Sequence, residues 1–124
     1  MNKVLFWLYV INSVLIILHE MDSAYWQEWK LFKMKGGAAG FLFLHFPILL
    51  LLQYGLIPVY LSTRTGMIIS LVLAFSGIFA FSIHTWFIKK GGAEFKTPAS
   101  RIILFSTLII SFLQLLVTLI LLWQ

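Results

Sequence analysis

The sequence predicts an all-α integral membrane protein, an up-down four-helix bundle forming a single four-span transmembrane domain over residues 1–124. Three observations predict it. The chain is 61% hydrophobic and only 10% charged, whereas a soluble domain carries about 25% charge. A core this small cannot bury that excess, so lipid must solvate much of it. The apolar residues also fall into four runs, and the charges, glycines and turn residues gather between them.

The first run is clean over residues 4–18 only. That is too short for the roughly 20 residues of a spanning helix. The span must continue to residue 24, which draws His19, Glu20 and Asp22 below the membrane surface. It resembles a signal peptide in having Lys3 before the apolar run, but a cut after Ala24 would place Asp22 where a small uncharged residue is needed. It reads as a retained first span over 4–24. An interfacial segment extends it to residue 35, where Tyr25, Trp26, Trp29 and Phe32 alternate with Glu28, Lys30 and Lys33. Gly36 and Gly37 stop that segment. The second span covers 38–61 and should be kinked, because Pro47 and Pro58 lie inside it. A tight turn at 62–65 leads to the third span, 66–88. Thr97 is placed to cap the fourth span, 100–123, with Pro98 at its first helical position. Short connections make sequential helices antiparallel neighbours.

The net charge of +5 does not point to nucleic acid, because the basic residues sit in short loops and no nucleic-acid-binding motif is visible. Membrane lipids are the partner these positions suit. The first and third loops hold Lys30, Lys33, Lys35, Lys89, Lys90, Lys96 and Arg101, and the opposite side holds Lys3 and Arg64. By the positive-inside rule both termini face outward and the lysine-rich loops face the cytoplasm. The two loops share a short similarity, KMKGGAAGF and KKGGAEF. The absence of cysteine excludes disulfides, thiolate metal sites, iron–sulfur clusters and cysteine nucleophiles.

Depth brings the polar residues together. At 1.5 Å per residue, His19, His45 and His84 lie about 7, 10 and 6 Å below the cytoplasmic face, on three different helices. On the first helix Asn12, His19, Asp22, Ser23 and Trp26 share a face. On the third, Ser70, Gly77, Ala80 and His84 form a small-residue stripe. On the fourth, Thr107, Ser111, Gln114 and Thr118 repeat at helical spacing. Polar stripes in lipid should face their partners. Glu20 lies about 100° around the helix from His19 and reaches the cluster from the side, while Glu28 is expected to point away.

Imidazole and carboxylate ligands on several helices suit a divalent transition metal such as zinc, iron or manganese. His19, Asp22, His45 and His84 are the expected ligands and Glu20 the expected general base, acting on an apolar or lipid-like substrate that enters sideways. The competing reading is structural, with histidines bonded to backbone carbonyls and to each other. Two further readings are a small proton-coupled transporter working as a homodimer, with Glu20 or Asp22 as the coupling acid, and a haem protein using two histidines. The carboxylates weigh against haem, and their position near one face weighs against transport. Composition and spacing do not decide whether the chain is an enzyme. The stretch HEMDS fails the zincin pattern H-E-x-x-H, because Ser23 stands where the second histidine belongs.

The pattern His19-Glu20-x-Asp22-x-x-Tyr25-Trp26-x-Glu28-Trp29, at the end of a first span, resembles a group of uncharacterised small bacterial four-span membrane proteins. The resemblance implies a bacterial inner-membrane location and a role for the motif. It carries no activity with it.

Overall fold

The structure is a computed structural model that describes residues 2–91 and 96–124. Five helices follow in order: α1 (Lys3–Tyr25), α2 (Glu28–Leu31), α3 (Gly37–Tyr60), α4 (Arg64–Lys89) and α5 (Pro98–Leu122). The four long helices are each long and apolar enough to cross a membrane, and their ends lie one or two residues from those expected. The internal similarity between the two loops falls partly on residues 92–95, outside the described residues.

Local chemistry sets each boundary. Asn2 caps α1, its side-chain oxygen accepting from the Leu5 amide at 2.9 Å. Thr63 caps α4 in the same way through Gly66. The fourth span starts two residues early because Thr97 accepts from the Ser100 amide at 3.1 Å and Pro98 needs no amide partner in the first turn. Gly36 takes a left-handed φ of 90° before α3, a conformation that costs a side-chain-bearing residue more. Pro47 and Pro58 both sit inside one continuous helix, α3. The interfacial segment forms only the four-residue α2, preceded by Gln27 in the left-handed region.

The long helices form a bundle in which α1 packs on α3, α4 and α5, and α4 packs on α3 and α5, leaving α3 and α5 on opposite sides. A bond from the Asn2 amide to Ser62 Oγ (3.0 Å) ties the chain start to the α3–α4 turn, as up-down topology requires.

The bundle is polar inside and apolar outside, the reverse of a soluble one. Asn12, Ser70, Thr107, Ser111, Gln114 and Thr118 are fully buried, while Phe43 is 81% exposed and Phe46 69%. Lipid is the solvent that accepts such a surface, and we read the chain as a multi-pass membrane protein. The interior is layered along its axis. At the end that holds the α3–α4 turn, Leu5, Tyr9, Leu52, Val59, Met67 and Leu73 pack into an apolar plug. Beyond it lies a belt of hydrogen bonds. Asn12 Nδ2 donates to Ser111 Oγ (3.0 Å) and to Gln114 Oε1 (2.8 Å). Gln114 Nε2 donates to the Ser70 carbonyl (3.0 Å) and lies 2.9 Å from Ser70 Oγ, and Ser70 meets Thr118 at 2.9 Å. Three helices are joined by side chains that satisfy one another. The histidines and the described acids occupy the other end.

Gly77 sets how closely α4 approaches α5, since a Cβ there would collide with the Ser111 side chain. Gly77→Leu should therefore push the helices apart and cost about 1–3 kcal/mol, read as a lower thermal midpoint in detergent. Phe79→Leu, on the exposed face of α4, should leave the midpoint unchanged.

Candidate functional site

The polar end is built by four elements. α1 supplies His19, Glu20, Asp22 and Ser23 from its last turns, and α3 supplies His45 from its third turn. α4 supplies His84 near its end, and α2 lies across the opening and supplies Glu28. An isolated four-residue helix is not stable in itself. α2 is held by its aromatics, with Trp29 against Phe41 of α3 at 5.5 Å between ring centroids. Just beyond it, Phe32 packs edge-on against Phe87 of α4 at 5.3 Å and against His84 at 6.3 Å.

Two carboxylate–imidazole pairs stand side by side. His45 Nε2 lies 2.7 Å from Glu20 Oε2, and His84 Nε2 lies 3.3 Å from Glu28 Oε1. His45 Nδ1 is 2.7 Å from the Phe41 carbonyl. A carbonyl can only accept, so Nδ1 carries a proton and Nε2 is the atom turned to Glu20. The 2.7 Å contact then needs one proton between Nε2 and the carboxylate. A metal ion can take that proton's place, since metals bind neutral imidazole and ionised carboxylate. Phe41 also stacks on the His45 ring at 4.0 Å, so both the tilt and the tautomer of the ring are set by one residue.

Glu28 joins the two pairs. Donor atoms of Glu20, Glu28 and His45 all lie within 4.8 Å of one another. Three donors around a metal at about 2.1 Å stand about 3.4 Å apart in a tetrahedron, so small side-chain movements would close this set. Burial works to raise the Glu28 carboxyl, but hydrogen bonding and charge from His84, with help from His19 and Ser23, outweigh it and hold the group below its ordinary value. Glu28 is thus kept ionised, the state a metal ligand needs.

The expected site residues fall into two sets. His45 and Glu20 stand in the three-donor group. His84 stands one contact away, directing Glu28. His19 is 2% exposed, with its ring edge-on to His84 at 4.5 Å and its Nε2 3.5 Å from Ser23 Oγ, so it lies behind His84 and outside the group. Asp22 is turned elsewhere, its Oδ1 accepting from Trp26 Nε1 at 3.1 Å. The expectation that Glu28 points away is corrected. That expectation continued the phase of α1 through residue 28, but α1 ends at Tyr25 and the left-handed Gln27 redirects the chain. The one legible signal was that an acid stood alone on a segment otherwise aromatic and basic.

Residues 5–121 match a family described as "Family of unknown function (DUF6713)". The chain belongs to that family. No curated protein and no solved structure matches it significantly. The DUF6713 match spans the whole bundle, including α2 and the polar end, and brings no activity to assign to them.

If Glu28 helps to hold α2 in place, Glu28→Ala should free the segment. Limited trypsinolysis in detergent should then cut faster after Lys30 or Lys33, as read by mass spectrometry, while Asp22→Asn should cut at the wild-type rate.

Proposed function

We propose that this protein binds one divalent transition metal at the lysine-rich end of its bundle, with Glu20, Glu28 and His45 as ligands. The observation that carries the reading is the convergence of those three donors within 4.8 Å, from three separate elements. Charge supports it, because two carboxylates neutralise a divalent ion in a place where net charge is costly. The surrounding shell supports it as well. His45 is oriented through its other ring nitrogen by the Phe41 carbonyl, and Glu28 is held by His84, the kind of outer contacts that metal ligands keep. Zinc, iron and manganese all suit a mixed imidazole and carboxylate set.

Three protein ligands leave coordination open for water or substrate. All three proposed ligands are partly exposed, the Glu20 side chain most at 21%, with His45 at 15% and Glu28 at 12%, while His84 is sealed at 1%. The open side therefore lies along α1 and α3, where Met21, Leu42 and Phe46 are exposed apolar neighbours in sequence. A polar group carried on an apolar molecule, presented sideways from the bilayer, fits that approach. In this reading Glu20 is a ligand rather than a free base. The apolar plug at the far end weighs against transport, since among the described residues no histidine, carboxylate, lysine or arginine lies in it. We place the protein in a bacterial inner membrane, with the lysine-rich loops in the cytoplasm and both termini outside, on the distribution of its basic residues.

Elemental analysis of the protein purified after metal-replete growth tests this. We expect about one metal ion per chain, lost in Glu20→Ala, Glu28→Ala and His45→Ala and retained in Asp22→Asn and His19→Ala. Loss in Asp22→Asn with retention in Glu28→Ala would restore the ligand set expected from sequence. A metal-free wild type would end the metal reading.

A further inference from the structure

The far side of the lysine-rich end holds a second feature, separate from the metal-binding reading. A groove runs between the end of α4 and the start of α5, lined by Phe81, Thr85, Ile88, Arg101, Leu104 and Phe105. Phe81 and Phe105 meet edge-on across it at 5.2 Å, and Leu104, 2% exposed, forms its floor. Its walls are apolar with one hydroxyl, and its only charge is Arg101, exposed on the first turn of α5. The groove therefore has the amphipathic profile of a lipid, with hydrocarbon walls below and a guanidinium at the level where the spans end.

Charge complementarity names the kind of lipid. The acids among the described residues are Glu20, Asp22 and Glu28, and each is engaged elsewhere, by His45, Trp26 and His84. Among the described residues Arg101 has no carboxylate partner. Lys89, Lys90 and Lys96, at the two ends of the α4–α5 connection, are exposed too. Lys90 lies over the Trp86 ring at 3.9 Å. The N-terminal end of α5 adds its own partial positive charge. Among the described residues the acids turn inward and the bases outward, so Arg101 and the basic residues near it have no described carboxylate beside them. An arginine fork matches a phosphate better than a zwitterionic headgroup whose own cation opposes it.

We propose that the α4–α5 groove binds an anionic phospholipid, with an acyl chain along Phe81, Ile88, Leu104 and Phe105 and the headgroup phosphate on Arg101. Such a lipid would also bridge two neighbouring helices. The site does not depend on metal at Glu20, Glu28 and His45.

Native mass spectrometry of the full chain, released from detergent containing equal amounts of phosphatidylglycerol and phosphatidylcholine, tests the proposal. The wild type should retain phosphatidylglycerol selectively. Arg101→Gln should lower that selectivity about fivefold, the effect of one basic residue at an anionic surface. Arg101→Lys should keep most of it. Phe105→Ala, an exposed position that folding does not require, should weaken retention of the lipid while circular dichroism stays unchanged. Arg64→Gln, at the opposite end, removes the same charge and should change nothing. Equal retention of both lipids by the wild type would overturn the proposal. So would equal losses in Arg64→Gln and Arg101→Gln, which would mean bulk charge rather than a site.

Discussion

The fold depends on one constraint: a polar group inside a lipid-solvated bundle has no water to turn to and must be satisfied by another part of the protein. Asn12 and Gln114 answer it at mid-height. Each uses donors and acceptors supplied by the other and by Ser111 and Ser70. Because the partners sit on α1, α4 and α5, only one rotation of each helix satisfies them all. Apolar packing alone would specify that rotation weakly, since lipid chains and leucines compete for the same contacts. With the belt in place, the faces carrying His19 and His84 are turned inward at the other end.

The polar end obeys the same constraint in a less settled way. Its carboxylates and imidazoles pair off, but each pair requires a proton of defined position and brings ionisable groups into a place of low dielectric. Replacing the two pairs with apolar residues of similar volume would make a bundle of comparable or greater stability. α2 is central to this end. A short helix with little stability of its own is held by the packing of Trp29 and Phe32, and its single acid is turned to His84 in the interior.

Much of this was legible in the sequence. The four spans could be counted from hydropathy, and the Thr97-Pro98 start of α5 could be read from capping chemistry alone. The inward stripe of Thr107, Ser111, Gln114 and Thr118 followed from helical spacing. So did the gathering of the three histidines at one end, because rise per residue converts sequence position into depth. The assignment of individual partners was not legible. Asp22 shares a helix face with His19, yet the Trp26 indole one turn later claims it. Glu28 was misplaced because helical phase carries information only while the helix continues, and a single left-handed residue at Gln27 erased it.

By itself, then, the sequence determined the class of solvent, the number of spans, their boundaries and the end of the bundle where ionisable groups collect. These are properties of composition and of local periodicity, and no distant contact is needed to set them. The tertiary structure alone decided which acid meets which histidine, that Glu28 of α2 turns inward, and that Arg101 stands at the mouth of the α4–α5 groove. Those outcomes depend on the rotation of four helices about their own axes and on the reversal of one short segment. Both are fixed by contacts between residues far apart in the chain, such as Asn12 with Gln114 and Glu28 with His84.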